Sequence, residues 1–532
     1  MTEARMSASE LSSPARQLIV GFDAMEWSLI ERWVGDGKLP TFQRLLAEGA
    51  HGTIRSTAEQ LPDTVWAAIF TGLNPGKMGK YFYVQYDPST LGLVHLTDDE
   101  IHTKAFWDHL SDAGVRVGVV DAPKYPMSSG LNGFQLTNYG AHATRTARAS
   151  TPAALLGEID RRLGAHPVAD CDAFGDKQRS LKVLRERVLE GVRTHGALFR
   201  WLMESEDWQV FFAAFSAPHC IGHHFWHWVD PTHPRHGEAD EYGLADSLER
   251  VYREIDAELG KMLDLLESSD TVLLVAGHGM GPIYHASWNL PEILDLLGYG
   301  GHDQPGDAHT EEEDTTAQRN FWRMLKMVVP GRLQYAIKAM LPQRLQDELL
   351  FRWYAGKHDW EGHRAFAVPN NDSVGAIRVS VKGRDHNGVV DPDDYMNVCR
   401  EIKSAIEELT DAETGRSVVR KVTLTHEEFE GPELDRLPDV TILWDQSFPW
   451  NAVHSPRFGT LRIRRQDSRA GSHTPYGFFI VRGPGIPAGE EIEGKTVYDI
   501  APTVLHFAGV EIPEEIDGGP ILTRAPSPAM HA

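Results

Sequence analysis

The chain has 532 residues, of which 41% are hydrophobic and 24% are charged, and its formal net charge at pH 7 is -24. This length is enough for one large α/β domain with insertions, or for two to three smaller domains, with a sizeable buried core. The acidic balance argues against nucleic acid as a partner, because binding to the phosphate backbone requires clustered Lys and Arg. An anionic small substrate is still compatible, since a local metal ion can invert the field inside a pocket.

The cysteines and the N-terminus favour a cytoplasmic location. The cysteines Cys171, Cys220 and Cys399 are far apart and odd in number, which argues against a disulfide framework and suits a reducing compartment. Residues 1–16 are polar and rich in Ser and Ala, without the apolar stretch of a signal peptide. No uninterrupted apolar run is long enough to span a bilayer, so we expect no membrane association.

The first predicted unit is an apolar strand, residues 17–22, that stops at Asp23. Asp23 is either a helix cap or a metal ligand, and we favour the ligand because cations in hydrolases usually need an anionic oxygen. Further on, Asp63 and Thr64 lie at the start of a predicted apolar helix. Its free N–H groups and dipole would stabilise an anion, so this turn is either a nucleophile site or an ordinary helix cap.

Histidines cluster around three later predicted strands. His219 and His223 follow the apolar run 210–214, and His278 follows the run 271–276 between two glycines. His473 comes just before a further strand. The carboxyl ends of parallel strands are where ligands collect, and the spacing of His219 and His223 lets both imidazoles reach one cation. A single histidine is more often a core or surface residue, but the recurrence of strand-end candidates favours a metal site.

The predicted organisation is a largely continuous α/β core with one long insertion. We expect the core to occupy 16–299 and 363–523, with a helical excursion at about 152–201. The span 300–362 starts acidic and then has apolar residues at helical intervals, which predicts a helical insertion that caps the site. Residues 1–15 and 524–532 are predicted to be a flexible N-terminus and a disordered tail.

Several short motifs, taken together in this order, resemble the alkaline phosphatase superfamily, most closely its type I phosphodiesterase and nucleotide pyrophosphatase branch. The resemblance covers most of the chain. It rests on the opening strand into Asp23, Thr71-Gly72, Asn74-Pro75-Gly76-Lys77, His278-Gly279-Met280, Gly471-Ser472-His473 with Gly477, and Tyr498-Asp499-Ile500-Ala501-Pro502-Thr503. It implies a central, mostly parallel sheet flanked by helices, with helical insertions.

The resemblance also implies ligands and chemistry. Members hold two metals, often zinc, and attack phosphate or sulfate esters with a Thr or Ser nucleophile. Carried over, His223 and His473 match ligands of one metal, and Asp23 and His278 match ligands of the other.

The sequence departs from the family pattern in three places. His219 replaces an Asp ligand of the first site, and Gly277 replaces an Asp ligand of the second. With the spacing of the family motif, the position of the nucleophile falls on Pro62. Only a local shift of the chain would bring Asp63 or Thr64 to that position. Because two adjacent cations need anionic ligands between them, the loss of two carboxylates weakens the case for a full two-metal cluster.

These observations lead to one main hypothesis and two alternatives. The main one is a metal-dependent hydrolase of phosphoesters or phosphodiesters with a small, anionic substrate. His219, His223 and His473 would hold the main metal, and Asp23 and His278 a weaker second ion. Zinc is expected, with iron or manganese as alternatives, at one or two ions per chain. Attack would come from Thr64, with Asp63 also a candidate, or from metal-activated water. The alternatives are a single-metal transferase, lyase or oxidative enzyme, and a non-catalytic metal- or anion-binding relative.

Overall fold

The computed structural model describes residues 15–96, 101–140, 148–168, 177–284, 286–300, 360–371, 373–464 and 469–523. The predicted cap at 300–362 and the two predicted flexible termini lie almost entirely outside the described residues, and so does Cys171. Cys220 and Cys399 are both buried and free.

The strands of the described residues are numbered in chain order. They are β1 (Gln17–Phe22), β2 (Ala50–Arg55), β3 (Val84–Asp87), β4 (Gly92–His95), β5 (Val117–Val120), β6 (Gly133–Thr137), β7 (Ala149–Thr151), β8 (Val210–Phe215), β9 (Thr271–Ala276), β10 (Gly279–Pro282), β11 (Ala365–Ala367), β12 (Val374–Val379), β13 (Thr410–Asp411), β14 (Val419–Leu424), β15 (Val440–Trp444), β16 (Ala452–Ser455), β17 (Gly459–Arg462), β18 (Gly471–Thr474), β19 (Tyr476–Arg482) and β20 (Lys495–Thr496).

The α-helices of the described residues are numbered in the same way. They are α1 (Trp27–Gly35), α2 (Pro40–Glu48), α3 (Val65–Thr71), α4 (Pro75–Met78), α5 (Phe106–Asp112), α6 (Ala153–Leu163), α7 (Gln178–Ser205), α8 (Ala217–Val229), α9 (Ser247–Leu263), α10 (Leu290–Leu296), α11 (Tyr395–Glu407), α12 (Thr425–Glu428) and α13 (Ile500–Ala508). Among the described residues, none of the helices is both long and apolar enough to cross a membrane.

A nine-stranded sheet forms the centre of the molecule, in the order β20-β2-β19-β9-β1-β8-β5-β6-β7. β1 pairs in parallel with β8 and β9, and β5 pairs in parallel with β6 and β8. Only β19 and β7 run antiparallel to their neighbours. The predicted fold class, a mostly parallel sheet flanked by helices, is confirmed.

Both faces of this sheet are covered, which explains why its central strands are continuously apolar. All residues of β1, β8 and β9 are buried. Side chains of a strand alternate between its faces, so Leu18 and Val20 join one hydrophobic core while Ile19 joins the other. The buried strands fix the position of whatever follows their carboxyl ends.

Strands of the span 363–523, predicted as the remainder of the core, belong to more than one sheet. β12, β14 and β15 form, with β11, a separate four-stranded antiparallel sheet in the order β11-β12-β15-β14. Of the described strands in this span, only β19 and β20 return to the central sheet. The apolar pattern of a strand does not specify which sheet it joins, because that choice depends on distant partners.

A short two-stranded ribbon lies next to the central sheet. β10 and β18 pair antiparallel, with Met280 opposite His473. Because β10 begins directly after His278, the ribbon carries His278 and His473 to the same place beyond the carboxyl end of β9. His473 therefore lies within β18 and, as the sequence predicts, just ahead of the longer strand β19.

Candidate metal centre

Three predicted ligands, His219, His223 and His473, converge. One ring nitrogen of each lies within 4.8 Å of those of the other two, and in the part of the chain that the structure describes no other His, Cys, Asp or Glu group meets this criterion. All three side chains are buried. The ring centroids of His219 and His223 both lie 5.1 Å from that of His473.

Helix α8 positions two of the three. It begins directly after β8, with Pro218 in its first turn, where proline is compatible with a helix. His219 and His223 are one turn apart, and their Nε2 atoms are 3.2 Å apart. The Nδ1 atom of His223 donates to the carbonyl oxygen of Gly471 at 2.7 Å. This bond fixes the tautomer that leaves Nε2 as a metal-binding lone pair, and it joins α8 to β18.

The electrostatics favour the metal-binding state of two of the five predicted ligands, His473 and His278. Burial, together with the charges of His278 and His223, holds the pKa of His473 well below its ordinary value of 6.5. Burial also lowers the pKa of His278, against the opposing effect of Asp23. Neutral imidazole has the lone pair that a metal requires. Three imidazole nitrogens in one buried cluster fit a zinc ion with a fourth position for water or substrate.

The other two predicted ligands lie beside this trio. The Nε2 atom of His278 is 3.6 Å from the Oδ1 atom of Asp23, and the His278 and His473 rings stack with centroids 4.3 Å apart. Asp23 also accepts a hydrogen bond of 3.0 Å from the indole N–H of Trp66. The five predicted metal ligands thus form one continuous site.

Packing explains the missing carboxylate at Gly277. A Cβ atom added there would lie 2.3 Å from the Cγ1 atom of Val65 and 2.6 Å from the Cδ1 atom of Ile69. Because α3 packs so closely against this segment, a side chain at position 277 would require Val65 and Ile69 to shift. The half of the site formed by Asp23 and His278 therefore has a single carboxylate. The half formed by the trio has three imidazole nitrogens, enough for a zinc ion with one open position.

The predicted nucleophile segment is the turn that leads into α3. Residues Pro62–Thr64 form a short 3-10 helix, and Thr64 is the N-cap of α3. The Thr64 hydroxyl is buried and donates to the Leu61 carbonyl oxygen at 2.8 Å. Asp63 and Thr64 line a cavity of about 30 Å³ together with Lys80, His102 and Lys124.

Lys124 was not predicted from the sequence. It follows β5, it pairs with Asp63, and it has a left-handed backbone (φ 55) that non-glycine residues seldom adopt. Its charge contributes to lowering the pKa of both His278 and His473, so it acts on the metal centre as well as on the cavity. Residues held in such conformations concentrate at functional sites, but a lysine in a loop carries no sequence signal of this kind.

A mostly parallel sheet with converging histidines beyond its strand ends is the arrangement of the alkaline phosphatase superfamily. The chain belongs to the type I phosphodiesterase / nucleotide pyrophosphatase family, whose sequence model matches residues 17–453. This membership supports a hydrolase of the phosphodiesterase and pyrophosphatase class.

Several solved structures are similar to this chain over most of its length. Phosphonoacetate hydrolase from Sinorhizobium meliloti is 16% identical, with 92% of this chain and 94% of that chain covered and a TM-score of 0.48. Human ectonucleotide pyrophosphatase/phosphodiesterase 5 is 13% identical, with 95% and 97% covered and a TM-score of 0.48. The murine protein, solved with AMP, is 12% identical, with 94% and 96% covered and a TM-score of 0.47. No curated protein matches the chain.

Proposed function

We propose that this protein is a metal-dependent hydrolase of phosphoesters or phosphodiesters, with its main divalent cation held by His219, His223 and His473. The observation that carries the proposal is the convergence of three buried imidazole nitrogens within 4.8 Å of one another. Zinc is the ion that suits this donor set best, with iron and manganese as alternatives. A zinc ion there would polarise a phosphoryl oxygen and lower the pKa of a bound water.

Thr64 is the proposed nucleophile. In its attack the Thr64 oxygen forms a bond to phosphorus while the bond from phosphorus to the leaving oxygen breaks, and water then releases the phosphoryl group from the enzyme. Its place at the N-terminus of α3 supports this role, because the free N–H groups there stabilise a phosphoryl anion. The hydroxyl proton must be accepted by a base, for which the neighbouring Asp63 is the candidate. Direct attack by water is the alternative route.

The substrate is proposed to be a small anionic molecule. Lys80 and Lys124 line the cavity beside Thr64, and two ammonium groups favour a phosphate or carboxylate ligand. Family membership supports the same conclusion, as do the solved neighbours, which hold phosphonoformate and AMP. Asp23 and His278 would hold a second, weaker ion or orient water.

A single-metal enzyme of another reaction class is the second candidate function. Gly277 favours it, because the close approach of Val65 leaves the second half of the site short of a carboxylate. A transferase, lyase or oxidative reaction would then use the trio alone. A cytoplasmic location stays a prediction from the sequence.

Hydrolysis of a chromogenic phosphodiester tests the main proposal. The protein is assayed as purified, after removal of metal with a chelator, and after addition of zinc, iron or manganese. We expect activity to be lost with the chelator and restored by one of these ions, and the His223→Ala variant to lose activity at every ion concentration. His224→Ala, which changes the next buried histidine on α8, is the matched control and should keep most of the activity. Full activity of the chelated protein or of His223→Ala would contradict the proposal.

A further inference from the structure

Asn371, on the loop between β11 and β12, reaches from the smaller sheet into the metal centre. Its Nδ2 atom lies 3.3 Å from the Nδ1 atom of His473. Its Oδ1 atom accepts from the Ser373 hydroxyl at 3.1 Å and lies 3.5 Å from the Ser472 hydroxyl. The side chain therefore bridges the smaller sheet and β18 at the ring of one ligand. No motif in the sequence marks this residue.

The contact at Nδ1 determines which nitrogen of His473 can bind metal. A neutral imidazole has one N–H donor and one acceptor nitrogen. The Nε2 atom of His473 is buried and has no hydrogen-bond partner among the described residues, so it is the nitrogen available to a cation. For Nε2 to keep its lone pair, the proton must lie on Nδ1 and needs an acceptor. Histidine ligands generally have such a partner at the second nitrogen.

Asn371 can supply that acceptor and keep its contacts to both serine hydroxyls, at the loss of the 3.4 Å hydrogen bond that its Oδ1 atom accepts from the Ser373 backbone N–H. Rotating the Asn371 amide by a half-turn about its Cβ–Cγ bond exchanges the positions of the oxygen and the nitrogen. The two orientations have the same shape. The neighbouring Ser373 and Ser472 hydroxyls can donate or accept. With the amide oxygen towards His473, the Nδ1–H donates to Asn371 and both serines accept from its NH₂ group. The same role is filled for His223 by the carbonyl oxygen of Gly471 at 2.7 Å.

We propose that Asn371 is the positioning residue of His473, holding the ring in the tautomer that presents Nε2 to the cation. The inference rests on the proposed metal centre, and it adds that the smaller sheet supplies part of the centre's support. Asn370 strengthens this link, because its Nδ2 atom donates to the Gln60 carbonyl oxygen at 3.0 Å. That bond attaches the same loop to the turn ahead of α3 without touching a histidine.

Zinc titration of the metal-free full chain tests the inference. Affinity is measured by competition with a chromogenic chelator in wild type, Asn371→Leu, Asn371→Asp and Asn370→Leu. Loss of such a partner typically weakens metal binding about 10-fold to 100-fold, which we expect for Asn371→Leu. Asn371→Asp offers only acceptor atoms, so it should bind zinc at least as tightly as wild type. Asn370→Leu is the matched control for the loop and should stay within about 3-fold of wild type.

Thermal unfolding of the metal-free variants separates positioning from a merely structural role. If Asn371 acts through His473, Asn371→Asp restores zinc affinity whatever its effect on the melting temperature. Equal losses of affinity in Asn371→Leu and Asn371→Asp, or unchanged affinity in Asn371→Leu, would overturn the inference while leaving the metal centre in place. A wild-type chain that binds no zinc, iron or manganese would instead overturn the metal centre and this inference with it.

Discussion

The two halves of the site differ in how completely they are built. The trio His219, His223 and His473 has its nitrogens within one coordination sphere, and His223 has a bond that fixes its tautomer. The half formed by Asp23 and His278 has two groups 3.6 Å apart, and Val65 occupies the place where a third would stand. The contrast indicates that a cation bound by this chain depends mainly on the trio. The second half is better suited to orienting a substrate, water or a weakly held ion.

The largest expected effect concerns Thr64, which directly precedes Val65, the residue whose side chain approaches Gly277 in the incomplete half. If Thr64 forms the covalent bond, Thr64→Ala should lower kcat for the chromogenic phosphodiester by about 1,000-fold or more. Thr64→Ser keeps a hydroxyl and should retain much of the activity. Asp63→Ala tests the base and should have a smaller effect. If Thr64→Ala and Asp63→Ala both keep full activity, attack at the helix terminus is excluded and water is the nucleophile.

The cavity between Thr64 and Lys124 gives the next effect in size. Lys124→Met removes a charge from the proposed anion site but leaves the Asp63 carboxylate without its cation. The double variant Lys124→Met/Asp63→Asn removes both charges of this pair. A lost hydrogen bond to a charged group costs about 1.5–3 kcal/mol. We therefore expect KM for a phosphomonoester to rise about 10-fold to 100-fold in both variants, as steady-state kinetics would reveal. Unchanged KM in both would remove Lys124 from substrate binding.

A change at Gly277 would sharpen the comparison between the halves. Gly277→Ala forces a methyl group against Val65, and overpacking of this kind typically costs about 1–3 kcal/mol of stability. Chemical denaturation would measure it, and Gly277→Ala combined with Val65→Ala should recover part of the loss. Stability equal to wild type in Gly277→Ala would show that the second half can accept a side chain, and hence a carboxylate.

The smallest expected effect separates the ligand histidines of α8 from His227, one turn beyond His223. Burial lowers the pKa of His227 to about 3 from the ordinary value of 6.5. Below about pH 6.5, His227 is therefore protonated in the unfolded chain but remains neutral in the folded chain. Because the unfolded state binds the additional proton, the free energy of unfolding falls as the pH drops below 6.5. His227→Phe should make this fall shallower by at most about 1.4 kcal/mol per pH unit. Denaturation at several pH values checks it, and an identical slope would contradict it.

The strand-end pattern selects histidines that converge in the structure, but it does not separate candidate ligands from structural residues. Asp23 and Asp121 both follow buried strands. Asp121 instead accepts from the backbone N–H groups of Tyr139 and Gly140 at 2.7 and 2.8 Å, and lies 3.0 Å from the Nε2 atom of His195. Those partners are distant in sequence, so the difference between the two carboxylates is set by tertiary structure.

Loop residues at the site cannot be predicted from strand-end patterns either, because tertiary structure sets their positions. Lys124 and Asn371 reach the centre because of how their loops cross the ends of the sheets, and neither lies in an apolar or glycine-rich motif. The separate sheet that contains β12 escapes prediction likewise, because strand patterns do not encode partners. His473 is the opposite case, since the glycines and polar residues around it limit its place to a strand end.

Elemental analysis of the protein purified without added metal tests the central claim most directly. We predict close to one equivalent of zinc, or of iron or manganese, per chain, and close to none in His223→Ala, whereas His224→Ala should match wild type. A wild-type chain without metal, or a His223→Ala variant with the same metal content as wild type, would contradict the account.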